Sequence, residues 1–98
     1  MNDDPDENAT DPHRIPIENH LDLHSFQPGD VPDVVRSYIE QAIARGIPEV
    51  RLIHGKGIGF QRDRVRQVLE SLPEVEAFHD APPERGHWGA TIVRLRVP

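Results

Sequence analysis

The chain contains no cysteine, which excludes disulfides and thiolate metal sites alike. No apolar run approaches the length of a membrane span. The N-terminus is acidic rather than basic-then-apolar, so no secretory signal is visible and the cytoplasm is the expected location. With 98 residues there is no room for a second domain, although one modest core can be buried if most of the chain folds. Nor is there an excess of positive charge. The net charge is -6, a balance that taken alone speaks against a nucleic-acid partner.

The distribution of that charge changes the reading. Residues 1–14 carry Asp3, Asp4, Asp6, Glu7 and Asp11 against Arg14, a net of -4 that leaves only -2 for the rest of the chain. This stretch lacks apolar periodicity and is expected to be a disordered acidic tail, with residues 15–98 forming the domain. Further on, Lys56, Arg62, Arg64 and Arg66 fall within a short window opposed by Asp63 alone. The positive charge is local.

That window surrounds Ile53-His54-Gly55-Lys56-Gly57-Ile58-Gly59-Phe60. An apolar run, Val50 to Ile53, precedes it, and a segment with apolar residues at helical spacing follows, so it reads as strand, Gly-rich turn, helix. Glycines on alternate positions let a ligand approach the backbone, and the start of a helix directs free N–H groups toward it. Such a turn suits a phosphate. The spacing fits neither a P-loop, since Gly57 follows Lys56, nor a dinucleotide fingerprint.

The remaining elements follow from periodicity. Leu21-Asp22-Leu23-His24 alternates as a half-buried strand does, so Asp22 and His24 leave the same face. A carboxylate beside an imidazole can orient the ring and raise its basicity. Pro28-Gly29 marks a turn, Asp30 is placed to cap the next helix, and Val31, Val34, Val35, Tyr38, Ile39, Ala42 and Ile43 give that helix one buried face. Gly46 ends it and Pro48 blocks its continuation. A second helix is expected from Gln61 to about Ser71, with Arg62 and Arg66 sharing one of its faces. Strands are expected at Glu74 to His79 and Ala90 to Val97, joined by a loop with a double proline. The order predicts an α/β two-layer sandwich, β-α-β-α-β-β, with a four-stranded mixed sheet and both helices on one face. Alternation then puts Asp22, His24, Arg51, Arg94 and Arg96, with Ile53 and Ile92, on the uncovered face. Arginines there could track a phosphate backbone.

Three motifs, Leu21-Asp22-Leu23-His24, His54-Gly55-Lys56-Gly57 and Gly86-His87-Trp88-Gly89-Ala90-Thr91, resemble in order and spacing the LDLHG, HGxG and GGxGAT motifs of the small MutS-related (Smr) domain family. The resemblance covers about residues 20–97. It implies a two-layer α/β domain similar to the C-terminal domain of translation initiation factor 3, nucleic-acid binding and, as in several members, endonuclease activity. The family's functional positions carry over onto Asp22, His24, His54, Gly55, Lys56, Gly57, Gly89, Ala90 and Thr91. Two positions depart: Ser25 stands in place of the glycine after the first histidine, and His87 replaces a glycine of the third motif.

The function expected from this resemblance is phosphodiester cleavage, with RNA somewhat favoured over DNA. His24, oriented by Asp22, would take the proton from an attacking 2′-hydroxyl. His54 would protonate the leaving oxygen, the two histidines being interchangeable in these roles, and Lys56 with the turn's N–H groups would stabilise developing negative charge. Gly55, Gly57, Gly59, Arg62, Arg66, Arg94, Arg96, Trp88, Gly89 and Thr91 are the expected nucleic-acid contacts, with Trp88 placed to stack on an unpaired base. No cofactor is required in this version. In the alternative, Asp22, His24 and His54 hold a divalent metal ion that activates water. A second class of function is a non-catalytic nucleic-acid- or ribosome-binding module, and a third a binder of small phosphates. The sequence leaves the oligomeric state open.

Overall fold

A computed structural model of the chain describes residues 17–55 and 60–98, with Phe60 and Trp88 described by backbone alone. The expected acidic tail therefore lies outside the described residues, as do Lys56, Gly57 and Gly59. Six regular elements follow in order: β1 (His20–Asp22), α1 (Val31–Ala44), β2 (Glu49–Ile53), α2 (Phe60–Glu70), β3 (Val75–Asp80) and β4 (Ala90–Leu95). The strands form one mixed sheet in the order β1-β2-β4-β3. β1 runs parallel to β2, as a crossover through a helix requires, and β4 lies antiparallel between β2 and β3.

Registry explains which residues are buried. Leu21 pairs with Leu52 and Val50 with Val93, so these side chains share one face. They pack with Leu23 and Leu95 against Val31, Val34, Val35, Tyr38, Ile39 and Ala42 of α1 and Val65, Val68 and Leu69 of α2. Both helices thus cover the same face, as alternation predicts. Each fully buried Leu or Val contributes about 1.5–3 kcal/mol of transfer free energy, so this layer is the main source of stability. Tyr38, the one polar-tipped member, donates its hydroxyl to the Glu18 carbonyl. That bond ties the segment before β1 to α1. Burial, with the nearby Glu18 charge, pushes the phenol up to about 12.

Helix ends agree with the sequence at one terminus and not at the other. At the C-terminus of α1, Gly46 takes φ 72°, and the N–H of Ile47 reaches back to the Ala42 carbonyl at 3.0 Å. This closes the end before Pro48. At the N-terminus Asp30 makes no side-chain cap. A 3₁₀ turn at Pro28–Asp30 runs directly into the helix, and the N–H of Val31 donates to the Pro28 carbonyl. Asp30 consequently has helical backbone angles, whereas a cap needs extended ones.

The face opposite the helices is not wholly open. Ala81, Ala90 and Ile92 form a second buried cluster with Ile53 packed against it. The connection from β3 to β4, with 3₁₀ turns at Pro83–Arg85 and His87–Gly89, lies over this end of the face. Arg51 donates to the Arg85 carbonyl at 3.0 Å, and Glu49 lies 3.5 Å from Arg85 and 3.9 Å from Arg94. Alternation correctly assigns these side chains to one face but says nothing of a loop folding back on them.

Candidate functional site

The site is built where β1 and β2 end side by side. Past Asp22 the chain leaves the ladder, although the N–H of Leu23 still donates to the Ile53 carbonyl at 2.8 Å. His24 then turns back on Asp22. One carboxylate oxygen, Oδ1, accepts from the His24 backbone N–H at 2.9 Å and from ring Nδ1 at 2.7 Å. The backbone N–H is the main reason the Asp22 carboxyl is held below the usual carboxylate range; slight burial opposes it and the ring assists it. With Nδ1 donating to a carboxylate, Nε2 of a neutral His24 carries the lone pair. Both side chains are more than half exposed. The dyad is open to solvent.

β2 supplies the other wall. The N–H groups of His54 and Gly55 both donate to the Gly89 carbonyl, at 3.0 and 2.8 Å. The three sequence motifs therefore meet in space: Gly89 holds the turn after β2, and the ring of His24 rests on Gly55. A Cβ at residue 55 would stand 2.7 Å from His24 Nε2, and Gly55 has φ +85°, so both conformation and space call for glycine.

His54 sits differently from His24. It is buried, with Nε2 2.9 Å from Thr91 Oγ1 and Nδ1 3.1 Å from the Gly55 carbonyl oxygen. Burial lowers its pKa; the Gly55 carbonyl and Asp80 oppose this, and the charges of Arg62 and Arg66 reinforce it. Thr91 is fully buried, so its hydroxyl is turned into the fold rather than toward a ligand. Both His54 nitrogens are engaged internally. Among the described residues no three His, Cys, Asp or Glu side chains group closely enough to hold a metal ion. Asp22, His24 and His54 therefore do not form the donor set of the metal alternative.

Asp80, which the sequence assigns to the loop after β3, ends that strand and organises the basic side chains beside His54. Arg62 grips both Asp80 oxygens at 3.0 Å, and Arg66 donates to Oδ1 at 2.8 Å while its guanidinium lies 5.4 Å from the Phe78 ring centroid. Burial pushes the Asp80 carboxyl up, but the hydrogen bonds from Arg66 and Arg62 outweigh it and hold the carboxyl below its ordinary value. One carboxylate against two guanidiniums leaves a net positive charge. The strand alternation that puts Phe78 under the helices puts Asp80 there too, a signal present in the sequence. Arg94 and Arg96 are exposed on the other face, and Arg96 Nε donates to the Pro73 carbonyl. They lie apart from the Arg62–Asp80–Arg66 cluster.

The two departures from the family motifs differ in consequence. His87 has φ +50° and is the one non-glycine residue with positive φ among the described residues, a conformation that histidine tolerates better than most. Ser25 has no such angle, so the glycine usual at that position is not needed here.

Fold and site together define a two-layer α/β domain whose first strand ends in an Asp–His dyad against a glycine turn from its second. Residues 21–96 match the Smr domain, and the chain belongs to that family. It is 40% identical over 76 residues to endonuclease MutS2 of Thermus thermophilus, covering 78% of this chain and 10% of that protein. It is 36% identical over 84 residues to endonuclease MutS2 of Lactiplantibacillus plantarum, covering 86% and 11%. The chain thus spans about a tenth of the length of these relatives. The crystal structure of the Smr domain of T. thermophilus MutS2 is similar, with TM-score 0.76 and 38% identity over 81% of this chain and 99% of that one. The stand-alone small MutS-related protein YdaL of Escherichia coli has TM-score 0.70 and 32% identity, covering 85% and 68%.

Proposed function

We propose that this Smr domain binds nucleic acid and cleaves its phosphodiester backbone, RNA in preference to DNA, with the Asp22–His24 dyad as its reactive centre. The observation that carries the reading is the 2.7 Å Nδ1–Oδ1 bond in an exposed pair. It leaves Nε2 as a base beside the turn that continues into Lys56. On RNA, His24 Nε2 takes the 2′-hydroxyl proton as that oxygen attacks phosphorus, and Asp22 stabilises the imidazolium that results. The P–O5′ bond breaks to leave a 2′,3′-cyclic phosphate and a 5′-hydroxyl whose proton comes from solvent, to which the imidazolium returns its own. Lys56, with Gly57 and Gly59 after it, supplies positive charge and close backbone approach for the phosphate. Arg62 and Arg66, and on the other face Arg94 and Arg96, attract the backbone, Gly89 holds the turn on which the dyad rests, and Trp88 is assigned to stacking on an unpaired base. His54, enclosed by Thr91 and Gly55, serves position rather than proton transfer. The names of the MutS2 relatives agree with this class of activity.

A second reading, a nucleic-acid- or ribosome-binding module without catalysis, is favoured by one observation. His54, the expected second acid–base group, is buried with both ring nitrogens engaged. The two readings separate in one assay: end-labelled single-stranded RNA, structured RNA and supercoiled DNA incubated with wild type and His24→Ala. Cleavage of RNA by wild type alone, abolished by a 2′-deoxy substitution at the cut site, supports the nuclease. No cleavage on any substrate, with a salt-sensitive gel shift common to both proteins, supports the binding module.

A further inference from the structure

Thr91 is fully buried near the start of β4, yet its hydroxyl has a defined task. The Gly55 carbonyl can only accept a hydrogen bond, so the proton on the His54 ring that faces it, 3.1 Å away, belongs to Nδ1. A neutral ring then carries its lone pair on Nε2, where the Thr91 hydroxyl donates over 2.9 Å. We propose that Thr91 is a positioning residue: by donating to Nε2 it holds the His54 ring, whose Nδ1–H tautomer the Gly55 carbonyl selects, and His54 in turn holds the Gly55 peptide against which His24 is seated. The inference deepens the reading of His24 as the reacting base and rests on it.

The geometry explains why the tautomer matters. In the other tautomer a nitrogen lone pair would face the Gly55 carbonyl oxygen, and the two would repel. Gly55 is otherwise held by its own N–H, which donates to Gly89 at 2.8 Å; His54 secures its carbonyl side. A Cβ on Gly55 would lie 2.7 Å from His24 Nε2 and 3.3 Å from Cε1. A small movement of this peptide is therefore felt at the nitrogen that takes the proton. The groups acting on His54 are Arg62 and Arg66 from α2 and Asp80 from β3, together with the Gly55 carbonyl. Burial and the two arginines favour the neutral ring that the relay needs, while the carbonyl and Asp80 oppose them.

The test compares Thr91→Val, close in shape but without the hydroxyl, with Thr91→Ser, which keeps it, in the full chain. Long-range proton–nitrogen spectra read the His54 tautomer, and an NMR titration reads the His24 ring. Wild type and Thr91→Ser are expected to show Nδ1–H at His54. Folded Thr91→Val is expected to keep Nδ1–H but to move the His54 Nε2 resonance as its hydrogen bond is lost, to move the His24 titration midpoint beyond the spread of repeats, and to cleave RNA on the order of tenfold more slowly. An Nε2–H form in wild type overturns the proposal. So does a folded Thr91→Val protein with an unaltered His54 Nε2 resonance and unaltered His24 titration. If Thr91→Val does not fold, Thr91→Cys, with its weaker donor, is read by the same criteria. Neither NMR readout depends on cleavage, so an inactive wild type refutes the nuclease while the relay is still decided by the spectra.

Discussion

The ring of His24 occupies the space that a side chain on residue 55 would need, with Nε2 2.7 Å from the position of a Gly55 Cβ. Gly55→Ala therefore meets two obstacles, this contact and a φ of +85°. The backbone part costs about 1–2 kcal/mol. The exposed ring can swing aside, so the steric part falls on the dyad rather than on stability. Thermal melts should show a modest loss, while RNA cleavage falls on the order of a hundredfold. Full activity in a folded Gly55→Ala protein would show that His24 need not sit where it does.

Asp22→Asn removes the carboxylate that accepts from both N–H groups of His24. The pair is largely exposed, so stability should change by less than about 0.5 kcal/mol. Cleavage should fall by roughly 10²- to 10⁴-fold, because the ring loses both its orientation and the charge that stabilises its protonated form. Chemical denaturation beside initial rates separates the two effects. A proportional loss of stability and rate would mean that Asp22 is only structural.

Asp80→Ala leaves Arg62 and Arg66 facing each other without their shared carboxylate. Asp80 is about a third exposed, so after solvent screening the expected destabilisation is about 1–2 kcal/mol. The folded Asp80 pKa is depressed below 3.8. Its contribution is thus fully present above the unfolded carboxylate value and is lost as pH falls through the folded one. The gap between wild type and Asp80→Ala should close in strong acid. Two released guanidiniums should also steepen the salt dependence of oligonucleotide binding. An unchanged slope would remove Arg62 and Arg66 from the proposed interface.

His54 gives a pH dependence of the same direction in a different window. Its folded pKa is depressed below 6.5, so the unfolded chain takes up a proton first as pH falls. Stability is lost progressively from about pH 6.5 downward until the folded value is passed. Urea midpoints measured from pH 7.5 to 5 should show this loss in wild type and a flatter profile in His54→Gln. Equal slopes would indicate that the ring is not held neutral by its surroundings.

Much of this molecule is legible in the order of its residues. The 3.6-residue repeat from Val31 to Ile43 and the alternation of Val50, Leu52, Val93 and Leu95 assign the helix-facing side chains correctly, because each pattern is local to one element. Gly46 before Pro48 marks a helix end for equally local reasons. The three motifs are close enough to those of the Smr family for membership to be read from them. The Asp22–His24 contact is also local, since two residues of separation leave the carboxylate and ring within reach of each other.

What the sequence by itself determined, then, is the set of elements, their inward faces, the family and the dyad. Only the tertiary structure decided what His54 and Asp80 do. Separation along the chain is silent on which strand ends meet, and it is the β2–β4 and β3–β4 registers that set Thr91 beside His54 and Asp80 opposite Thr91. The loop folded over Ile92 and the 3₁₀ turn that displaced the cap at Asp30 arise in the same way. In each case a backbone group finds its partner far along the chain or in an unanticipated turn, and the energy of that contact outweighs the local preference of the residue.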